Sequence, residues 1–153
     1  MRRPFSVQAF LATPDQSIWS VLLLQRVARP DLALPDFWQG VSGALESEES
    51  FESAAIRELQ EETAIQIPTV VSTGYEHRFP IKPEWRHSYG PEPTHVLEKV
   101  YFGVVASRLS PSLSSEHKAF RWCREAEAVE LLKFGNNRRC VEAVFAALRC
   151  TDA

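Results

Sequence analysis

Three carboxylates, Glu58, Glu61 and Glu62, stand at i, i+3 and i+4 of one segment. On a helix, at about 100° per residue, they fall within one arc of roughly 100°. Like charges at that spacing repel by a few tenths of a kcal/mol per pair. A divalent cation held between them turns the repulsion into attraction. Carboxylate oxygens are hard ligands, so the chemistry points to Mg²⁺, with Mn²⁺ as the other candidate, rather than zinc. Such an ion typically serves phosphate chemistry. The competing reading is a solvated acidic helix face. Against it, Ala55, Ile56 and Leu59 form an apolar stripe, Ser53 and Gln60 mark the wet side, and the acids lie along the border. Arg57 sits at the edge of the acidic face, four residues before Glu61, where it can brace that carboxylate or reach back to Glu49.

The elements that must carry these residues can be read from the pattern around them. Ser50 suits an N-cap and Glu52 favours the first turn through the helix dipole, so the helix is expected to run to about Thr63. Before it, Val41 to Leu45 reads as a short strand feeding the loop. Phe5 to Ala12 and Ile18 to Val27 read as a hairpin around a Thr13-Pro-Asp-Gln turn. Arg29 to Pro35 is a Pro-bounded loop leading into Phe37-Trp-Gln39. Val70 to Phe79 and Leu97 to Val105 form a second pair of strands, and Ala119 to Cys123 a last short one. Between that pair lies Pro80 to Thr94, rich in Pro, Arg, His and Tyr, the expected substrate loop. Val141, Val144, Phe145 and Leu148 give the stripe of an amphipathic C-terminal helix. The architecture expected is an α/β/α sandwich with a mixed sheet, one domain over residues 1–153.

Composition narrows the class. With 44% hydrophobic residues and a net charge of −3, the chain lacks the basic surface that general nucleic-acid binding needs. No apolar run approaches the ~20 residues that cross a bilayer, and no signal peptide follows Met1-Arg-Arg-Pro. Cys123, Cys140 and Cys150 are odd in number and match no metal spacing, which suits reduced thiols and a cytoplasmic setting. Oligomeric state is not legible.

The motif as a whole resembles that of the Nudix hydrolases: a Gly, five residues, Glu, seven residues, then Arg-Glu-apolar-x-Glu-Glu-x-Gly-apolar. Here it reads Gly43, Glu49 and Arg57-Glu-Leu-Gln-Glu-Glu-Thr-Ala-Ile65, with every charged position filled and no insertion. A Nudix-fold binding or regulatory module that has lost catalysis is a further alternative; loss of one motif carboxylate would point that way, and none is missing. Ala64 replaces the usual Gly of a left-handed C-cap, at an expected cost of about 1 kcal/mol. Ser42 and Glu48 replace small or Gly residues common in the loop.

Further short matches, including Leu24-Gln-Arg26, Asp36-Phe-Trp-Gln39, His87-x-Tyr89-x-Pro91, Ser115-Glu-His117 and Asn137-Arg138, resemble one Nudix branch. These are the dihydroneopterin triphosphate pyrophosphatases, a branch also described as acting on dATP. The resemblance implies Mg²⁺-dependent hydrolysis of a small-molecule triphosphate, with a house-cleaning hydrolase of nucleoside triphosphates or dinucleoside polyphosphates as the alternative. It makes Glu58 and Glu62 the main metal ligands, Glu61 a shared one, and Glu116 a completing ligand or a base; an exposed loop acid is the plainer account of Glu116. Gly43, Glu49 and Arg57 would be structural. Arg2 and Arg26 match cations near the triphosphate, or are ordinary surface charges. Ser42 would line the site and His87 would touch phosphate, although a loop His often does nothing specific. Trp38, Trp85 and Tyr89 are candidates to stack on a fused ring, with core packing the competing role for Trp38.

Overall fold

The computed structural model describes residues 1–151. Its strands are β1 (Phe5–Asp15), β2 (Ile18–Arg26), β3 (Phe37–Gln39), β4 (Val41–Ala44), β5 (Val71–Pro80), β6 (His95–Val104) and β7 (His117–Cys123). Its helices are α1 (Phe51–Thr63), α2 (Arg86–Tyr89), α3 (Glu125–Leu131) and α4 (Gly135–Thr151). All seven strands join one sheet of mixed pairing. β1 lies parallel to β6 and antiparallel to β2 and β4.

The alternation of β1 divides the core in two. Val7, Ala9 and Leu11 face the side covered by α1, with Leu22, Leu24, Ala54, Ala55 and Leu59. Phe10 and Ala12 face the side covered by α3 and α4, with Val21, Leu23, Val141, Val144 and Leu148. Central strands covered on both faces read as continuous apolar runs, which is how β1 and β2 read. The expected sandwich is what forms, and the predicted stripe on α4 is its buried face.

One feature of the pairing opens the site. β1 uses Ala12–Asp15 to pair with β2 but Ser6–Ala9 to pair with β4. β2 in turn passes from β1 to β3 at Leu24–Arg26. The two long strands therefore splay, and β3 and β4, joined by Gly40, fill the wedge. A Cβ at Gly40 would lie 2.6 Å from the Phe10 ring, so only glycine fits the joint.

Several sequence expectations shift. The hairpin turns at Gln16-Ser17, not at Thr13 to Gln16, because Thr13, Pro14 and Asp15 stay in the ladder opposite Ser20, Trp19 and Ile18. Gln16 and Ser17 both have positive φ, 51° and 71°, as a tight two-residue hairpin loop requires. Phe37-Trp-Gln39 is a strand rather than a lead-in. Residues 80–94 are an ordered connection, with a 3₁₀ turn at Pro83–Trp85 running into α2. The helix α3, unread from sequence, buries only Ala128 and so has almost no apolar stripe to show. Cys123 and Cys140 are buried thiols and Cys150 is exposed and free. No helix among the described residues is long and apolar enough to cross a membrane.

The helix α1 starts at Ser50, whose side chain accepts the Ser53 N–H at 3.1 Å, and ends at Thr63. Ala64 closes it at φ 62°, ψ 17°, with its N–H on the Gln60 carbonyl. Glu48 also takes a positive φ, 64°. An L-residue pays of the order of 1 kcal/mol to sit in this region. Ala64→Gly is therefore expected to raise unfolding free energy by about 1 kcal/mol, read as a higher urea midpoint at unchanged slope. No gain would mean that the cap is not strained.

Candidate active site

The splayed end of the sheet and the second half of α1 enclose a cavity of about 630 Å³. α1 supplies Glu58, Glu61 and Glu62, each offering a carboxylate oxygen within 4.8 Å of the others'. Glu58 and Glu62 are buried and Glu61 is exposed, so the trio runs from the core border to the mouth.

Gly43 accounts for the approach of helix and strand. In β4, Ser42 faces the cavity while Gly43 faces α1, and a Cβ on Gly43 would stand 2.2 Å from the Glu58 carboxylate. The glycine is the space that Glu58 occupies. Burial pushes the Glu58 carboxyl up to about 7, opposed by its bond from Arg57 Nη1 at 2.8 Å.

Arg57 ties the motif loop to the helix. Its Nε and Nη2 grip the two oxygens of Glu49 at 2.7 and 2.8 Å, a bidentate fork. Nη2 also donates to the Ala44 carbonyl at 3.1 Å, and Nη1 to Glu61 at 3.2 Å. Both options open at the sequence level, bracing Glu61 and reaching back to Glu49, are realised together. The Arg57 guanidinium holds the Glu49 carboxyl below the usual carboxylate range.

Glu62 is held from the other side. His117 Nδ1 lies 2.9 Å from its Oε2, and Ser114 Oγ donates to the same oxygen. The His117 bond, opposed by burial and aided by Ser114, keeps the Glu62 carboxyl low. With an ionised carboxylate accepting, the imidazole carries its proton on Nδ1. Neither partner was read from sequence as touching Glu62. His117 lay in view in Ser115-Glu-His117, but the fold alone brings it across to α1.

Basic side chains line the same cavity. Arg2, Arg26 and His87 all line the cavity, as do Ser42, Tyr89 and Glu116. The Arg2 guanidinium lies over the Tyr89 ring, 5.7 Å from its centroid. Arg26 Nε is buried without a partner, and its Nη2 is 3.8 Å from the half-exposed Glu116. Every candidate site residue is thus brought to this cavity or to the Glu49–Arg57 brace behind it. Of the three rings considered for stacking, Trp85 and Tyr89 line the cavity, whereas Trp38 points to the opposite face and packs on the α3–α4 core.

The pocket gathers carboxylates and basic side chains, a combination whose chemistry suits a hard cation and phosphate oxygens. The sequence profile of the NUDIX domain matches residues 2–144. The chain belongs to the Nudix family. Within that family it is 36% identical to the dihydroneopterin triphosphate diphosphatase of Haemophilus influenzae over 94% of this chain and 89% of that one. It is 32% identical to the Escherichia coli K12 protein of the same name, over 92% of this chain and 91% of that one. The solved structure of the E. coli dihydroneopterin triphosphate pyrophosphohydrolase superposes with a TM-score of 0.75 at 30% identity, covering 92% of this chain and 94% of that one. As a Nudix hydrolase the protein is an enzyme that acts on phosphoanhydrides.

Proposed function

We propose that this Nudix enzyme hydrolyses dihydroneopterin triphosphate to the monophosphate and pyrophosphate with Mg²⁺, as one catalytic domain. The observation that carries the reading is that the acidic trio lines one cavity together with Arg2, Arg26 and His87. The names of the relatives add the substrate.

The donor set fits a hard divalent ion. Three carboxylates converge, and burial raises the carboxyl of Glu58 in spite of its bond from Arg57, a cost that a bound cation would relieve. Glu58 and Glu62 would hold it, with Glu61 at the mouth and Glu116 as a further candidate. When bound, such an ion neutralises phosphate oxygens and makes a ligated water more acidic.

The chain's own groups do the rest. Arg26, with an unspent Nε, and Arg2 hold phosphate oxygens, for which the guanidinium fork is well suited. His87 adds a donor to the same cavity, which the Ser42 hydroxyl, itself bonded to Glu98, also lines. His117 and Ser114 fix Glu62 in one orientation, as partners behind a ligand do. Glu116, half exposed at the edge of the cavity, takes a proton from the attacking water. That water bonds to one phosphorus of the triphosphate chain while the phosphoanhydride oxygen leaves with pyrophosphate.

The test is pyrophosphate release with Mg²⁺ from dihydroneopterin triphosphate, dATP, GTP and diadenosine tetraphosphate, compared as kcat/KM. The pterin is expected to lead by tenfold or more, about 1.4 kcal/mol of transition-state discrimination. A flat profile, or one led by a nucleotide, keeps the hydrolytic chemistry and discards the pterin as substrate.

A further inference from the structure

A second cavity of about 320 Å³ adjoins the first, with Phe37, Phe79, Trp85 and Phe134 among its walls. Its aromatic rings meet edge to face, Phe37 on Phe134 at 5.2 Å and Phe79 on Trp85 at 6.1 Å. His77 and Glu98 line it as well, and Cys140, buried on α4, lies against them.

Three elements meet at this point. β5 supplies His77, β6 supplies Glu98 and α4 supplies Cys140. His77 Nε2 lies 2.9 Å from Glu98 Oε1 and 3.8 Å from Cys140 Sγ. One ligand atom of each residue stands within 4.8 Å of those of the other two. Ligands at zinc bond lengths and a tetrahedral angle stand about 3.4–3.6 Å apart. The observed 2.9 and 3.8 Å straddle that spacing, so movements of about half an ångström or less would seat an ion. The three residues are far apart in the chain, and only the fold assembles them.

Other side chains already hold this set in place. Glu98, 4% exposed, accepts Ser6 Oγ at 2.9 Å and Ser42 Oγ at 3.3 Å on Oε2, which leaves Oε1 turned to His77. The Gln8 amide donates to that Oε1 at 3.2 Å and to Cys140 Sγ at 3.6 Å. Its own orientation is set by the Gly40 N–H on its carbonyl. Partners of this kind orient metal ligands, and a donor on sulfur favours the thiolate. The donor types select the ion. Thiolate, imidazole and carboxylate together suit Zn²⁺, whereas the all-carboxylate trio on α1 suits Mg²⁺.

We infer that His77, Glu98 and Cys140 form a second metal site, for one Zn²⁺, that fastens β5, β6 and α4 together beside the aromatic cavity. The cavity offers the ion a route in and room for water as a fourth ligand. On binding, the Cys140 thiol gives its proton to solvent. The imidazole proton, held on Nε2 by the accepting Glu98, passes to Nδ1. Nδ1 has no acceptor among the described residues, and the missing partner costs on the order of 10–100-fold in affinity. Binding is therefore expected to be weaker than at a zinc finger. The site uses none of the acids on α1 and does not depend on which triphosphate is the substrate.

The test titrates chelator-stripped protein with Co²⁺, a coloured stand-in for Zn²⁺, with Mg²⁺ present throughout. One Co²⁺ per chain is expected to give a thiolate charge-transfer band, which an all-oxygen site cannot produce, and Zn²⁺ is expected to remove it. Cys140→Ser is expected to abolish the band, His77→Gln to weaken Co²⁺ binding at least tenfold, and Cys150→Ser to leave both as in wild type. Wild-type protein without the band, a band that survives in Cys140→Ser, or His77→Gln binding as tightly as wild type overturns the inference. If Cys140→Ser does not fold, His77→Gln, a change on the edge strand β5, decides alone.

Discussion

Glu58→Gln is expected to lower kcat/KM by a factor on the order of 10³, the scale of losing one pre-organised electrostatic element of a site. The same change is expected to stabilise the metal-free protein at pH 8. An exposed glutamate in the unfolded chain titrates at 4.5, whereas burial raises folded Glu58 to about 7. Below 4.5 both states hold the proton and burial costs nothing through this group. Between those values the unfolded chain has released its proton while the fold retains it, so stability falls as pH rises. Above 7 the folded carboxyl is ionised and the full penalty is present. Glutamine is neutral throughout and keeps an oxygen for Arg57. Thermal midpoints in chelator should therefore drop from pH 5 to pH 8 for wild type and drop less for the variant, with Mg²⁺ restoring wild type at pH 8. A variant that melts below wild type at pH 8 would instead make Glu58 a stabilising anion for Arg57.

Arg57→Ala carries the second large effect, on stability as well as turnover. The guanidinium holds Glu49, Glu58, Glu61 and the Ala44 carbonyl with its own side chain only 21% exposed. Removing one partner of such a part-buried network strands the others, at about 2–3 kcal/mol, below the figure for a fully buried pair. Lysine keeps the charge but cannot reproduce the fork on Glu49, so Arg57→Lys should recover less than half of the loss. Urea unfolding of the three proteins measures this. A loss under about 1 kcal/mol for the alanine variant would reduce the brace to an ordinary surface ion pair.

What the sequence revealed of this site was its local part. Glu58, Glu61 and Glu62 share a helix face because of a fixed period, and Arg57 reaches Glu49 because one short loop separates them. Both are visible without a fold. The strain at Ala64 was equally legible, since a helix end asks for a left-handed residue there. Other features depend on distant segments. His117 meets Glu62 only because β7 lies beside β2, and Gln39 reaches the cavity only because β1 and β2 splay and β3 enters the gap. The turn was misplaced for a different reason: Thr-Pro-Asp is turn-like in composition, but the ladder to Trp19 outweighs that local preference. Trp38 could not be assigned until strand alternation fixed which face it takes.

The two cavities have Leu34, Phe37, Gln39, Ser42, Phe79 and Trp85 in common as walls. A molecule with a ring in one cavity and a phosphate chain in the other would therefore be a bivalent guest of two joined sites. Each end raises the effective concentration of the other, so avidity accumulates without any strong single contact. Cleavage severs that linkage. Pyrophosphate is left as a monovalent guest and escapes readily, while the ring-bearing monophosphate keeps both footholds in weakened form. Product inhibition should then be lopsided, with the monophosphate competing well and pyrophosphate poorly.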